Sequence, residues 1–449
     1  MIGQTTLLTV LSRLVKRTPA DGVSAFAQAG TRRVFRFAQD AIHQDLTQES
    51  ILVTVKMVLN GRIGIASTET WTPASLARCV RSAREIAALS PPLKDLPELP
   101  RTHRLRTTAD YVPATARISP AACVASLAHL FRLCKGAGAQ LAGSLLTGED
   151  AYAVVNSSGV AAYAASTTCG AKLVTMYRKL SGFASGVHRD IRQLNLEELL
   201  ARSLKQALNR QEPATIPTGA YEVILEPEAV AELVEWLGYT AFGAKQVEER
   251  TSFLAGRMGD RVMDPQVTIA DDGNDPHSLR VPFDCEGTPR QKVVLIDRGM
   301  ASGIVYDTTY GARFGHVSTG HAVSMDTSDG PIPIHLAMAP GQTMIPAMIR
   351  ACKRGLLIPR FHYVNGLLNP RIALMTGLTR EGAFLIEGGK LSQPVTTLRF
   401  TQSILEAFSR VLGISKERRL VADPSAGLGC ALMPAMHLAA FHFTGRSET

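Results

Sequence analysis

Apolar and polar positions near the N-terminus follow two different periods. Residues 1–17 carry apolar side chains at helical spacing, which predicts an amphipathic helix with basic residues at its end. Short apolar runs rich in β-branched residues predict strands at 33–38, 51–59 and 62–68. The Asn60-Gly61 turn between the last two runs predicts a β-hairpin.

Helix-start signals and prolines then divide the first part of the chain. Thr72 and Pro73 are typical of a helix N-terminus, and this helix completes a first βα unit at residues 1–90. Residues 91–120 hold six of the 24 prolines, which predicts an extended linker.

A second α+β unit is predicted at residues 121–217. Its first helix is capped by Ser119-Pro120 and ends near Gly136. A polar helix at Asn195–Asn209 closes it. Four short strands are predicted between these helices, at AQLAGSLL, AYAVVN, GVAAYAAS and AKLVTMY.

Residues 218–449 are strand-rich. Hairpins are predicted around Arg298-Gly299 and Gly388-Gly389, and a helix at Thr343–Arg354 with basic residues in its last turn. The whole pattern predicts an α+β fold. An N-terminal α/β region of two βα-type units precedes a strand-rich C-terminal domain with a mixed sheet or a barrel-like core.

Composition changes this picture little. The chain has 449 residues, of which 45% are hydrophobic, and these values are typical of a globular protein. No apolar run is long enough to span a membrane, and the first basic residues follow the apolar segment instead of preceding it, so we expect a cytoplasmic protein. The net charge of +9 raises nucleic acid as a partner, but no nucleic-acid-binding motif accompanies it and a solvated basic surface is favoured.

Cysteines and histidines offer few metal-site patterns. The seven cysteines contain no CxxC pair, which predicts reduced thiols and excludes a zinc finger. His316 and His321 share a glycine-containing loop, with Asp326 and His335 downstream, and this group is an alternative metal site. A spacing of five fits neither one helix face nor one strand face, and the same holds for His437 and His442.

A helix predicted at Leu233–Lys245 follows a predicted strand and carries a candidate catalytic Glu235. Val234 and Tyr239 stand where histidines would complete an H-E-x-x-x-H zinc motif. Valine has no donor atom, and the phenol of tyrosine stays protonated at neutral pH. Since a glutamate alone does not hold a catalytic zinc, composition makes Glu235 a helix-surface residue.

An ordered set of segments resembles the TldD/PmbA (TldE) peptidase family across roughly the whole chain, most strongly from about 220 to 445. In the N-terminal half the similar segments are LNGRIGIASTETWTPASLARCVRSAREIA and AVVNSSGV. In the C-terminal half they are SFLAGRMGDRVMDPQVTIADDG, VPFDCEGTPRQKVVLIDRGMASGIVYDTTYGARFG, STGHA, APGQTMIPAMIRACKRGLLI, FLIEGGKLSQPV and MPAMHLAAFHFTG.

The resemblance implies which kind of subunit this is. TldD-type subunits carry H-E-x-x-x-H and a further cysteine ligand near the C-terminus, whereas TldE/PmbA-type subunits lack them. Here the helix slot reads Val234-Glu235-Trp236-Leu237-Gly238-Tyr239, and the cysteine slot falls near Leu420 instead of at Cys430. The joint loss resembles a TldE/PmbA-type subunit. It implies no cofactor in this chain, and a TldD-like partner that supplies zinc for cleaving flexible peptides, with a link to the maturation of ribosomally made peptides.

Two other functions stay open on the sequence. A stand-alone hydrolase would hold its own metal, with His316, His321 and His335 as ligands. A basic nucleic-acid-binding protein would show affinity that falls steeply with salt.

Overall fold

The structure of the chain is a computed structural model, and it has the α+β fold that the sequence predicts. No helix among the described residues is both long and apolar enough to cross a membrane. The structure describes residues 2–93, 96–102, 110–208, 211–326, 328–381, 383–423 and 429–446.

Both N-terminal units contribute to one antiparallel sheet. Six strands are described in it, in the order β3-β2-β1-β4-β5-β6, and the central pair β1–β4 joins the two units. Its elements are α1 (Gln4–Arg17), β1 (Gly22–Ala38), β2 (Ala41–Leu59), β3 (Arg62–Thr68), α2 (Pro73–Leu89), α3 (Pro113–Ala116), α4 (Pro120–Gly136), β4 (Gln140–Asn156), β5 (Ala161–Tyr177), β6 (Leu180–His188) and α5 (Leu196–Ala207).

The predicted local signals of this half are confirmed. Asn60 and Gly61 both have positive φ, as a tight hairpin turn requires. Thr72 and Ser119 accept hydrogen bonds from the backbone N–H three residues on, at the starts of α2 and α4. The four predicted short strands do lie in strands, two in β4 and two in β5, but the predicted breaks between them were wrong, because the chain runs without a break through β4 and through β5, each 17 residues long.

Helices pack on this sheet through small residues at its two edge strands. A Cβ built on Gly64 of β3 would lie 1.9 Å from the carbonyl oxygen of Ala83 in α2. A Cβ on Gly182 of β6 would lie 2.0 Å from the carbonyl oxygen of Ser203 in α5. The two glycines therefore let helix backbone approach strand backbone at both edges.

The C-terminal half is built on a mixed sheet, as predicted, and the sheet does not close into a barrel in the described residues. Its main path is β10-β9-β8-β11-β19-β7-β12-β15-β16, with β11–β19 and β7–β12 parallel. Its elements are β7 (Gly219–Leu225), α6 (Pro227–Ala241), α7 (Ala244–Glu248), β8 (Ile269–Asp271), β9 (Val293–Asp297), β10 (Met300–Ala301), α8 (Thr308–Phe314), β11 (His335–Met338), α9 (Ile345–Ala351), β12 (Arg354–Ile358), β13 (Arg360–Asn369), β14 (Leu374–Arg380), β15 (Phe384–Glu387), β16 (Lys390–Pro394), β17 (Leu398–Ser403), α10 (Ile404–Phe408), β18 (Val411–Val421) and β19 (Cys430–Arg446).

Both hairpins predicted in this half are present, but the helix predicted at Thr343–Arg354 was too long. α9 ends at Ala351, and Arg354 begins β12. β12 pairs in parallel with β7, so long-range strand pairing overrides the local helix signal.

Candidate functional site

The helix that holds the candidate motif is α6, which begins directly after β7. Pro227 occupies its first turn, where the missing N–H costs no hydrogen bond. Arg419 of β18 lies across this helix start, with Nη1 3.0 Å from Glu226 Oε2 and 2.9 Å from Glu228 Oε2. Arg202 of α5 donates to the other oxygen of Glu228 at 2.8 Å. The ion pairs fix α6 against both halves of the protein.

The side chains of the H-E-x-x-x-H slot face different environments. Val234 is fully buried in the core of the C-terminal half. Tyr239 is 46% exposed, and its ring meets Trp236 edge-on at 6.2 Å between centroids. Val234 and Tyr239 therefore do not converge on one point as two metal ligands must.

Glu235 is open to solvent, yet it lies among acidic neighbours and many protein atoms. A side chain that is both accessible and surrounded lies in a concave part of the surface. Desolvation, together with the charges of Glu232 and Asp423, raises the pKa of Glu235 to about 8. Glu235 is thus protonated over much of the neutral range and poised to exchange a proton there.

Leu420 and Cys430 are the two positions considered for the further cysteine ligand, and neither side chain is in a state that binds a metal ion. Leu420 is a partly buried residue of β18, paired with Leu432 of β19, and it has no donor atom. Cys430 begins β19, and its Sγ lies 3.0 Å from Ser278 Oγ. Burial raises the pKa of the Cys430 thiol to about 11, so it stays protonated.

The structure does not bring His316, His321 and His335 together as metal ligands. His316 is exposed and stacks on Tyr306 at 4.9 Å between centroids. Both ring nitrogens of His321 are engaged, Nε2 with Asp271 Oδ1 and Nδ1 with Thr319 Oγ1, each at 2.9 Å.

The other two members of that loop group are apart as well. His335 Nε2 lies 3.0 Å from the carbonyl oxygen of Leu279. Asp326 is exposed and accepts from the backbone of Ser328. Each of these side chains therefore has separate contacts within the folded chain, and they do not share one position for a metal ion.

A different group has metal-ligand geometry, and sequence reasoning missed it. One ligand atom each of Glu222, Cys352 and His437 lies within 4.8 Å of the others, and no other group of this kind occurs within the described ranges. His437 Nε2 is 2.7 Å from Glu222 Oε1, and the Cys352 thiol also bonds Glu222. Burial and this contact raise the pKa of Cys352 to about 12. The three residues come from β7, the end of α9 and β19, so no local spacing signals them.

A cavity of about 200 Å³ lies between the N-terminal sheet and the C-terminal half. Asp423, whose charge raises the pKa of Glu235, is part of its lining, so the cavity adjoins the concave surface at α6. The buried side chains of Arg290 and His335 also line it.

The fold and the altered motif together define a metallopeptidase-like α+β protein. The PmbA/TldA metallopeptidase C-terminal domain matches residues 218–445. The chain belongs to the TldD/PmbA family.

Relatives and a solved structure agree with this assignment. The chain is similar to a TldD homologue from Haemophilus influenzae, described as a metalloprotease, with 29% identity over 54% of this chain and 49% of that protein. It is 24% identical to the metalloprotease PmbA of Escherichia coli O157:H7 over 52% of this chain and 49% of that protein. The chain thus spans about half the length of these curated relatives. The crystal structure of TldE from Thermococcus kodakarensis shares the fold, with a TM-score of 0.87, 21% identity and coverage of 98% and 99%.

The zinc that the family name implies does not fit the residues of this slot. Val234 and Leu420 offer no ligand atom, and the Tyr239 phenol is a poor zinc ligand at neutral pH. Of the three motif positions on α6, only Glu235 keeps a titratable carboxyl group, and it lies in a concave part of the surface. This position therefore does not support a metal-dependent step.

Proposed function

We propose that this chain is the metal-less, TldE/PmbA-like subunit of a heteromeric TldD/TldE zinc peptidase, which cleaves unfolded or flexible peptides. Its TldD-like partner supplies the zinc and the proton-accepting glutamate, and this chain supplies part of the chamber that encloses the substrate. A role in maturing ribosomally made peptides belongs to the same proposal.

The observation that carries the proposal is that α6 is a well-formed helix whose zinc-ligand positions hold other residues. Its fold and position are intact, yet Val234 is packed into the core where a zinc ligand is needed. Arg419 and Arg202 hold this helix in place although it lacks the zinc ligands. Such a helix suits the wall of a substrate chamber better than a catalytic centre.

Exposed apolar side chains beside α6 support a protein partner. Large apolar residues that are at least 44% exposed lie on β13, in the turn after it and near the end of α6. β13 packs directly on α6, because Gly366 leaves room for the ring of Trp236. Apolar residues in such a concentration are typical of a protein–protein interface. They are Tyr239, Tyr363, Leu367, Leu368 and Ile372.

Reconstitution tests the proposal. The isolated chain, a TldD-like H-E-x-x-x-H homologue and their mixture are each assayed with fluorescently labelled casein. We expect proteolysis to be greatest in the mixture, to survive E235Q in this chain and to vanish when the glutamate of the partner's motif is changed to glutamine. A matched variant, L367D, should prevent co-elution of the two chains in size-exclusion chromatography, whereas T444D on an exposed part of β19 should not. Full activity of the isolated chain contradicts the proposal.

A stand-alone hydrolase with its own metal is the second candidate, and the group Glu222, Cys352 and His437 is the observation that favours it. Elemental analysis of the chain purified alone separates the two functions. We expect close to zero zinc per chain. A value near one that C352S and H437A both abolish favours the second candidate, particularly if these variants also remove peptidase activity from the isolated chain.

A further inference from the structure

The cavity beside α6 holds an arginine, Arg290, that forms no ion pair with any residue that the structure describes. Four arginines line the cavity, and three of them are paired. Arg189 and Arg280 both bond Asp110, and Arg32 lies 3.6 Å from Asp150. Arg290 is 6% exposed, and its Nε and Nη1 atoms are enclosed without a hydrogen-bond partner among the described residues. A buried charge left in this way is costly unless a ligand satisfies it.

Each aspartate that lines the cavity already has at least one donor of its own, although Asp110 Oδ2 is buried without a hydrogen-bond partner among the described residues. Asp110 and Asp150 bond arginines, and Asp423 lies 2.5 Å from Lys172. Asp284 accepts backbone N–H groups from Glu286, Thr288 and Ala322 at 2.9–3.0 Å. Asp110 is already shared by Arg189 and Arg280, and among the described residues no carboxylate of this cavity forms an ion pair with Arg290.

The backbone holds Arg290 in place for this role. Its N–H donates to the carbonyl oxygen of Pro282 at 3.1 Å, and its carbonyl accepts from Asn274 Nδ2 at 2.8 Å. A Cβ built on Gly273 would lie 2.7 Å from Arg290 Cδ and 3.4 Å from His335 Nδ1. Arg290 and His335 therefore lie side by side against Gly273, where a larger side chain would collide with the arginine, and both residues line the cavity.

His335 offers a hydrogen-bond acceptor in this cavity. Its Nε2 lies 3.0 Å from the carbonyl oxygen of Leu279, which only accepts, so Nε2 carries the proton. Burial, with the charge of Arg290, lowers the pKa of His335 to about 4, so the ring is neutral. Its Nδ1 therefore carries a free lone pair, and this atom is buried and has no partner among the described residues.

We propose that this cavity binds the C-terminal residue of a peptide, with the carboxylate on Arg290 and the preceding amide N–H on His335 Nδ1. The C-terminal residue of a peptide presents a carboxylate and an N–H donor that are separated only by its α-carbon, so one residue can reach both side chains. Phe26, Leu146, Val281 and Phe283 form an apolar part of the wall, which suits the terminal side chain and disfavours a bare phosphate. The assignment of a peptide rests on the proposed function, and it names where that substrate's end is held.

Binding to the full, isolated chain tests this site by isothermal titration calorimetry at low salt. The probes are N-acetyl-trialanine with a free carboxylate, the same peptide as its C-terminal amide, sodium acetate and inorganic phosphate. We expect the peptide acid to bind at least about tenfold more tightly than the amide or acetate, because a charged hydrogen-bonded contact is worth about that factor.

Two variants report on the two side chains. R290M should weaken binding of the peptide acid at least about tenfold, whereas R298M at an exposed arginine should leave it unchanged. H335Q keeps a donor for the Leu279 carbonyl and removes the Nδ1 acceptor, so it should weaken the peptide acid and leave acetate unaffected. Because R290M removes an unpaired buried charge, its Tm should equal or exceed that of the parent chain.

Several results overturn the site. They are equal binding of peptide acid and amide, tighter binding of phosphate or acetate than of peptide acid, no binding of any probe, and a Tm of R290M lowered by more than about 5 °C. None of these measurements uses proteolysis or a partner. A failed reconstitution therefore leaves this site standing, and failure here leaves the proposed heteromeric peptidase standing.

Discussion

His321 Nε2 lies 2.9 Å from Asp271 Oδ1, and both side chains are fully buried. The second carboxylate oxygen, Asp271 Oδ2, accepts the backbone N–H of His335 at 2.7 Å. Burial opposes ionisation of Asp271, but the charge and hydrogen bond of His321 outweigh it and hold the pKa of Asp271 at about 2. The histidine that the sequence offered as a metal ligand therefore holds an aspartate in its charged state.

Asp271 should make stability depend on pH below 4. Its folded-state pKa of about 2 lies below the unfolded value of about 3.9, so its contribution is present above pH 4 and is lost as the pH falls towards 2. The shift corresponds to about 2–3 kcal/mol. Urea unfolding between pH 6 and pH 2.5 checks this. D271N should lose about that much stability at pH 6 and a smaller amount at pH 2.5, and a constant difference would contradict the prediction.

Glu235 should titrate far above an ordinary glutamate. Desolvation and the nearby charges of Glu232 and Asp423 place its pKa at about 8. Carbon-13 NMR of labelled glutamate carboxyls, assigned with E235Q, measures this directly. We expect E232Q to lower the pKa of Glu235, because it removes a neighbouring negative charge, whereas E197Q on α5 should leave it unchanged. Titration near 4.3 in the parent chain would refute the electrostatic description of α6.

Alanine at Gly64 or Gly182 should destabilise the N-terminal half. In either case the new methyl group meets a helix carbonyl at 2.0 Å or less, and backbone cannot give way as a flexible side chain does. We expect G64A and G182A each to lower the free energy of unfolding by about 2–3 kcal/mol in chemical denaturation. G136A is the matched control, because nothing lies within 4 Å of its new Cβ. Equal stability of all three variants would contradict the close packing of α2 on β3 and of α5 on β6.

Arg419 and Arg202 should act together on α6. R419M leaves Glu228, which is 8% exposed, with Arg202 as its only described ion-pair partner, and we expect a loss of about 2 kcal/mol. The double variant R202M/R419M leaves that carboxylate buried with neither arginine, so its loss should exceed the sum of the single losses. Thermal denaturation of the four proteins measures the coupling. Strict additivity would show that Glu228 does not depend on the pair.

Features set by neighbouring residues were predictable from the sequence. The Asn60-Gly61 hairpin needs two positive φ angles, which these residue types accept at low cost. The caps at Thr72 and Ser119 depend only on the following turn. The altered H-E-x-x-x-H slot was readable for the same reason, since Val234, Glu235 and Tyr239 lie on one segment.

Features that depend on residues far apart in the sequence could not be predicted from it. Arg354 continues a helical pattern in the sequence, yet it begins a strand because β7 lies beside it. Glu222, Cys352 and His437 come together from three elements, and neither their spacing nor their composition signals the group. The unpaired state of Arg290 was equally hidden, because it depends on which carboxylates other arginines have already taken.

The hydrogen bond between His437 and Glu222 joins residues 215 positions apart, and it lies where β19 pairs with β7. A ribosome that adds about 5–20 residues per second needs roughly 10–40 s to cover that distance. Throughout this interval the nascent chain displays β7 with an edge that has no strand to pair with. The C-terminal half therefore completes its native sheet only after β19 has emerged, and until then this edge of β7 is open to pairing with other strands.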